Sequence, residues 1–209
     1  KNCYVDLKES CLRSETTVKV FDQMRKLKGF TDEGSPGRDW NVATGMVIEG
    51  KAGFQIMGDW AKGEFTAAGK VPGVDYYCAA TPSNNGYLYN VDSFIFYKSS
   101  DPDKQAGQKL LAKLMMGKNF QKVFNLYKGS IPARLDVSMD EFDKCAKTSN
   151  ADIKTAGASG GLVPSFAHGM AQGNTMKAAL QDIITEHFNS DMSSVDAANA
   201  LADSVLANM

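Results

Sequence analysis

Three segments of this 209-residue chain have the composition of β-strands, and segments with helical spacing or loops separate them. Aromatic and β-branched residues bounded by turn-forming residues mark residues 53–57, 76–81 and 89–98 as the predicted strands. An open sheet usually has about five or six strands. We therefore predict an α/β fold that is short of strands for its length. Either some strands escape recognition, or residues outside this chain complete the sheet.

The remaining chain is predicted to be largely helical. Ser14 is placed to cap the first helix, which Gly29 ends, and Ser193 and Asp196 have the spacing of a capping box. The predicted helices lie within residues 14–29, 39–48, 64–69, 101–117, 119–127, 170–188 and the segment after residue 193.

Charge and composition exclude several classes of function. The net charge is −1, with acidic and basic residues mixed along the chain. A nucleic-acid partner usually requires a basic patch, so we predict none. Neither zinc-type nor calcium-type ligand spacing occurs, so we predict no metal and no cofactor. No segment approaches the roughly 20 consecutive apolar residues that span a bilayer.

The four cysteines bear on the cellular compartment. Cys3, Cys11, Cys78 and Cys145 are widely spaced and form no C-x-x-C motif. An even number of this kind is compatible with disulfides in an oxidising compartment. Four buried thiols in a cytosolic protein are equally compatible, so the cysteine count leaves both interpretations open.

Motifs for nucleophilic catalysis are weak. Residues 157–161 match G-x-S-x-G, but no predicted strand precedes them, and a nucleophile elbow requires one. His187 lies in a helical segment beside Glu186 and is predicted to be a surface residue. His168 lies in a loop before that helix, where a ligand contact and a structural role are both open.

Five residues have the chemistry that a sugar requires. An aromatic ring can stack on the apolar face of a sugar, and polar side chains can pair with its hydroxyls. Trp60 follows a predicted strand, Asn90 and Asp92 alternate along another, Lys128 lies at a helix end and His168 lies in a loop. Taken singly, Trp60 could be a core residue, and Asp92 and Lys128 could be solvated charges. The surroundings of Asp92 argue against that interpretation, because a carboxylate within an apolar strand is costly without partners.

A longer pattern resembles a known family. Residues 53–65, GFQIMGDWAKGEF, resemble the tryptophan motif of family 1 extracellular solute-binding proteins, and are most similar to the glucose-binding proteins of ABC transporters. Further segments resemble that subfamily in the same order: residues 36–41, 44–47, 68–73, 90–94, 119–124, 128–134 and 164–170.

This resemblance implies a fold, a function and a location. The fold is the type II-like periplasmic-binding-protein fold, in which two α/β lobes close on a ligand like a Venus flytrap. The expected ligand is a monosaccharide such as glucose, galactose or mannose, delivered in the periplasm to the permease subunits of an ABC importer without catalysis. Trp60 would stack on the sugar, while Asn90, Asp92, Lys128 and His168 would bind its hydroxyls.

The resemblance also implies a disulfide and an incomplete molecule. Cys78 and Cys145 are expected to form a disulfide, whereas Cys3 and Cys11 either pair or stay free. The chain resembles the C-terminal half of a family member. Residues 1–81 would begin the C-terminal lobe, residues 82–132 would cross over to pack on the absent N-terminal lobe, and residues 133–209 would form the helical remainder of the C-terminal lobe.

Two other functions are weighed against sugar transport. The chain could be a structural or interaction fragment that binds no sugar, because half of the expected cleft is missing. A carbohydrate-active enzyme would require two carboxylates facing each other across the sugar, and Asp59 and Asp92 are the candidates near the predicted site.

Overall fold

The computed structural model describes residues 3–82 and 86–209. Helices dominate this part of the chain, and two short strands, β1 (Tyr87–Tyr89) and β2 (Leu162–Pro164), form a small sheet. The helices are α1 (Glu9–Leu12), α2 (Glu15–Lys28), α3 (Trp40–Ile48), α4 (Lys62–Ala67), α5 (Pro102–Met115), α6 (Lys118–Lys128), α7 (Lys144–Ala158), α8 (Asn174–Asn189) and α9 (Ser194–Asn208).

The chain divides into two compact units. The described residues of the first unit are 3–37, 88–90 and 162–209, and those of the second are 38–82, 86–87 and 91–161. The predicted boundaries after residues 81 and 132 depend on packing against the expected N-terminal lobe, and they stay a prediction.

The first unit is built on α1, α2, α8 and α9. Both predicted caps are present: the Ser14 hydroxyl accepts a hydrogen bond from the Thr17 amide, and the Ser193 hydroxyl accepts one from the Asp196 amide. Small alanine side chains on α9 allow the helices to approach closely. The buried apolar residues of this core are Leu12, Phe21, Met176, Leu180, Ala197, Ala198, Leu201, Ala202 and Val205. Cys3 and Cys11 form a disulfide beside it, which resolves the open question of their pairing.

The second unit contains α3 to α7 and a smaller core of Val137, Phe142 and Ala146. Cys78 and Cys145 form a disulfide with their Cα atoms 5.7 Å apart, and this is the pair that the resemblance predicts. Within the described residues, no helix has both the length and the apolar composition that a bilayer span requires.

The strand predictions are largely wrong. Residues 53–57 form no strand, and residues 76–81 contribute only an isolated bridge between Pro72 and Tyr76. Of residues 89–98, only Tyr89 belongs to a strand, and the segment from Val91 to Lys98 is exposed. Aromatic and β-branched composition favours an extended backbone, but a ladder also requires a neighbouring strand, which these segments lack here. The described residues thus form a mainly helical structure with a small parallel sheet.

Strand β2 is not among the strands that the sequence predicts. It has only three residues and ends in Pro164, so it carries little strand signal. The pairing is parallel: the Tyr87 amide donates to the Gly161 carbonyl at 3.0 Å, and the Ser165 amide donates to the Tyr89 carbonyl at 2.8 Å. The carboxyl ends of β1 and β2 therefore lie at the same edge.

The prediction that His187 is a surface residue is also wrong, because its side chain is fully buried. His187 follows Leu180, Ile183 and Ile184 at helical spacing, which places it on the apolar face of α8. Its ring centre lies 4.7 Å from that of Phe21, and its Nε2 lies 3.3 Å from the Ser194 hydroxyl. Among the described atoms, His187 Nδ1 has no hydrogen-bond partner.

The first unit should lose stability in mild acid. Burial lowers the pKa of His187, the Arg25 charge lowers it further, and the Asp22 charge opposes them. The pKa of His187 in the folded chain therefore lies below its ordinary value of 6.5. The contribution of the buried neutral imidazole to stability is fully present above pH 6.5 and is lost as the pH falls towards the folded pKa. His187→Leu should therefore flatten the pH dependence of the unfolding temperature between pH 8 and pH 5, measured by circular dichroism. The matched core variant Leu180→Ala should lower the unfolding temperature but leave its dependence on pH as in wild type. If the unfolding temperature of His187→Leu depended on pH as steeply as that of wild type, the assignment to His187 would be contradicted.

Candidate functional site

Trp60 lies in a tight turn that its neighbours shape. A 3-10 helix covers Asp59–Ala61 and continues into α4. The indole lies back over Gly58, where an added Cβ would stand only 2.0 Å from the ring. Glycine is therefore required at this position. Trp60 is partly buried, so it is not one of the fully buried core residues.

Lys128 and Asp92 form an ion pair in the second unit. Lys128 is the last residue of α6, and its ammonium group contacts the Asp92 carboxylate and lies 5.8 Å from the centre of the Phe124 ring. The side chains are 29% and 62% exposed, respectively. Asp92 is thus an exposed carboxylate with a cationic partner, and the expectation that it lies within an apolar strand is wrong.

The turn after Lys128 packs directly on the start of α4. Gly129 ends α6 with a φ of +88°, and a Cβ added there would stand 2.6 Å from the Gly63 amide nitrogen. The Ile131 amide then donates to Asp59 Oδ2 at 3.2 Å. These contacts hold the turn that carries Trp60 against the helix end that carries Lys128.

An ion pair between a buried lysine and a partly exposed aspartate supports the same region. Lys62 is 6% exposed, and its Nζ lies 2.7 Å from Asp143 Oδ2. Asp143 also caps α7 by accepting a hydrogen bond from the Ala146 amide at 2.9 Å. Burial would raise the pKa of Asp143, but the hydrogen bond from Lys62 and the cap bring it below its ordinary value. A buried lysine is tolerated here because its charge is matched.

Tyr76 packs beside this charge pair. Its ring stacks on Phe65 with the centres 4.1 Å apart, and burial together with the Asp143 charge raises the pKa of Tyr76 to about 12. The phenol therefore stays neutral at physiological pH.

Asn90 and His168 lie in the first unit, near the carboxyl ends of β1 and β2. Asn90 follows β1 directly, and His168 lies four residues after the end of β2. His168 Nδ1 lies 2.7 Å from the hydroxyl of Ser165. Ser165 is buried, and its amide donates a hydrogen bond to the Tyr89 carbonyl. Ser165 thus orients the imidazole. Sequence reasoning missed this serine, because its role depends on a strand that was not recognised.

The five predicted sugar-binding residues therefore fall into two groups. The second unit contains Trp60, Asp92 and Lys128, and the first contains Asn90 and His168. The sequence gives no sign of the role of Gly63, whose backbone packs on the end of α6. It also gives no sign that Asp59 joins the Trp60 turn to the turn after Lys128. The helix break in residues 128–132, KGSIP, is a sequence signal for the turn that packs here.

The serine of the G-x-S-x-G match has a structural role. Ser159 follows the C-terminus of α7, and its hydroxyl donates to the Thr155 carbonyl at 3.1 Å. The order here is helix then strand, the reverse of a nucleophile elbow. Within residues 3–82 and 86–209, no group of three or more metal-ligating side chains is arranged to hold an ion.

Comparison of the sequence with known proteins identifies a family for this chain. Residues 4–156 match the model of the bacterial extracellular solute-binding proteins. This is a solute-binding type of protein and not an enzyme class.

Named relatives cover nearly the whole chain. It is 45% identical over 206 residues to a probable sugar-binding periplasmic protein of Brucella suis. The aligned residues make up 98% of this chain and 49% of that protein. A probable sugar-binding periplasmic protein of Rhizobium meliloti is 42% identical, with 98% and 50% covered. An uncharacterised ABC transporter extracellular-binding protein of Pyrococcus horikoshii is 33% identical over 172 residues, with 82% and 38% covered.

The chain spans about half the length of the Brucella and Rhizobium relatives. The predicted periplasmic location is confirmed by these matches. With a family model matching most of its residues, the chain belongs to the bacterial extracellular solute-binding protein family.

Proposed function

We propose that this chain is part of a periplasmic receptor that binds a glucose-like monosaccharide and delivers it to an ABC importer. The observation that carries the proposal is the accessible Asp92–Lys128 pair, on the helix end that packs against the Trp60 turn. A carboxylate accepts hydrogen bonds from sugar hydroxyls, an ammonium group donates to them, and an indole stacks on the apolar ring face.

Preorganisation supports this assignment. The ion pair holds both polar groups in place before a ligand arrives, and Gly58 allows the indole to fold back at a defined position. Binding then costs less side-chain entropy than it would at a mobile site. Hydrogen bonds to charged groups are also stronger than those between neutral groups. Asn90 and His168 stay predicted hydroxyl partners, with Ser165 orienting the histidine.

The transport role is an inference from the family. Relatives named as sugar-binding periplasmic proteins and as an ABC transporter extracellular-binding protein support a sugar ligand and a permease partner. Closure of two lobes over the sugar would then be the signal that the permease recognises. Glucose, galactose and mannose are the proposed ligands.

The exposed apolar surface of the second unit supports the proposed crossing segment 82–132. Phe94, Ile95, Leu110, Leu114 and Tyr127 are all at least 60% exposed. Large exposed apolar side chains are typical of a region that another part of a protein covers. We propose that an N-terminal lobe, which the relatives' greater length would supply, covers these side chains.

Calorimetric titration of the chain with glucose, galactose and mannose tests the function. We expect saturable binding of at least one of the three sugars. Trp60→Ala should weaken it by about 1–3 kcal/mol, since a stacking surface is lost. The matched control is Trp40→Ala, which removes the second tryptophan, a half-exposed residue that begins α3. It should leave the affinity unchanged.

Two results would contradict the proposal. If none of the three sugars binds, this chain is not a sugar receptor by itself, and the non-binding interpretation gains support. If a sugar binds but the two tryptophan variants lose affinity equally, Trp60 is not the stacking residue.

A further inference from the structure

We infer that Asp59 is a positioning residue that fixes the helix end bearing Lys128 relative to the turn bearing Trp60. This inference rests on the proposed function, because the two groups it positions are proposed sugar contacts. Asp59 itself faces the protein backbone, which separates it from the role of a catalytic carboxylate that the enzyme hypothesis required.

The hydrogen bonds of Asp59 reach across the sequence. Its Oδ2 accepts from the Ile131 amide at 3.2 Å, across 72 positions, and the Ser130 side chain is a second partner. Both partners follow Lys128 within three residues. Asp59 is also the residue immediately before Trp60, so one side chain connects the two elements directly.

The geometry of the helix end explains why an acceptor is needed. Helix α6 ends at Gly129 in the left-handed conformation, with the Gly129 amide bonded to the Asn125 carbonyl. After that reversal the chain leaves the helix, so the Ile131 amide has no helical carbonyl to bond. An unpaired amide in this partly buried turn would be costly, and the Asp59 carboxylate satisfies it.

The surroundings make this link rigid. The backbones of Gly63 and Gly129 approach so closely that neither position accommodates a side chain: a Cβ on Gly63 would stand 2.9 Å from the Lys128 carbonyl oxygen. The Lys62–Asp143 pair anchors the first residue of α4 on its other side. Burial raises the pKa of Asp59, and the Ile131 hydrogen bond and the nearby lysine charges oppose that rise.

Amide hydrogen exchange on the whole chain tests the inference without any sugar. Asp59→Ala should accelerate exchange in residues 128–133 by about 10-fold or more, the loss expected for a hydrogen bond to a charged group. Asp59→Asn should recover most of the protection, because its side-chain oxygen still accepts the Ile131 amide. Peptides from α7, which belongs to the same unit, should exchange as in wild type, and this distinguishes local loosening from unfolding of the whole second unit.

Asp75→Ala is the matched control. Asp75 also accepts a backbone hydrogen bond through Oδ2, from the Val71 amide at 2.7 Å, but that bond spans only four residues. This variant should leave residues 128–133 unchanged. If Asp59→Ala is too unstable to purify, Ser130→Ala removes the second partner and should accelerate the same peptide to a smaller extent.

Titration of the same variants with the sugar that binds best connects position to affinity. We expect Asp59→Ala to lose about 10-fold in affinity, with Asp59→Asn intermediate and Asp75→Ala unchanged. Unchanged exchange in residues 128–133 of Asp59→Ala, or equal acceleration in Asp75→Ala, would overturn the inference whether or not sugar binds. Accelerated exchange with undiminished affinity would overturn the role in sugar binding. A wild-type chain that binds no sugar would instead refute the proposed function, while exchange would still decide whether Asp59 holds the turn.

Discussion

Replacing Cys78 and Cys145 together by serine is expected to lower the free energy of unfolding by about 4 kcal/mol, the largest effect anticipated for this chain. The bond closes a loop of 67 residues, so its loss releases much conformational freedom in the unfolded chain. The Cys3–Cys11 bond spans eight residues, and the same entropic argument assigns it about 2.5 kcal/mol. Urea unfolding followed by circular dichroism measures both losses.

The Cys3→Ser/Cys11→Ser variant is the internal control, because it removes a disulfide of the same chemistry from a much shorter loop. Equal losses for the two pairs would contradict the loop-length argument. Titration of thiols in the denatured, unreduced protein checks the premise, since two disulfides leave no reactive thiol among the four cysteines. A periplasmic location provides the oxidising conditions that both bonds require.

Gly129→Ala is expected to destabilise the second unit by about 3 kcal/mol. A left-handed backbone costs a residue with a Cβ about 1 kcal/mol, and crowding against a packed neighbour adds about 2 kcal/mol. The added methyl group would meet the Gly63 backbone, which cannot turn aside as a flexible side chain would. Thermal and urea unfolding measure the loss, and the displaced Lys128 should weaken any sugar binding in parallel.

Gly160→Ala separates the two contributions. Gly160 has a φ of +71°, similar to that of Gly129, but nothing lies within 4 Å of a Cβ placed there. This variant should lose only about 1 kcal/mol, the cost of the backbone conformation alone. A similar loss at both positions would show that α4 and the end of α6 are not in close contact.

Most helices were predicted because their signals are local, although no separate bounds were predicted for α1 and α7. Ser14 and Ser193 cap the helices as predicted, and α3 and α6 begin and end within one residue of their predicted bounds. Each signal depends on residues within a turn or two of one another, so it survives without knowledge of the rest of the fold. His187 shows the limit of this approach, because its neighbour Glu186 suggested a surface whereas its i−3, i−4 and i−7 neighbours place it in the core.

The candidate site divides in the same way. Residue type and position identified Trp60, Asp92 and Lys128 as a chemistry suited to sugar, and that assignment stays a prediction until binding is measured. Their mutual arrangement depends on Asp59, Gly63 and Gly129, whose roles arise only where two distant segments meet. Similarly, Ser165 acquires its role beside His168 only through the pairing of β1 with β2.

The sequence by itself determined most of the helices, the caps at Ser14 and Ser193 and, through a family pattern spread over most of the chain, the class of protein. Only the tertiary structure decided which extended segments became strands, which glycines permit backbone contact, and which carboxylate faces the backbone instead of solvent. The physical reason is the distance along the sequence between the residues that interact. Helix hydrogen bonds and caps join residues a few positions apart, whereas a strand, a backbone-to-backbone contact or the Asp59–Ile131 hydrogen bond requires a partner that the chain supplies from far away.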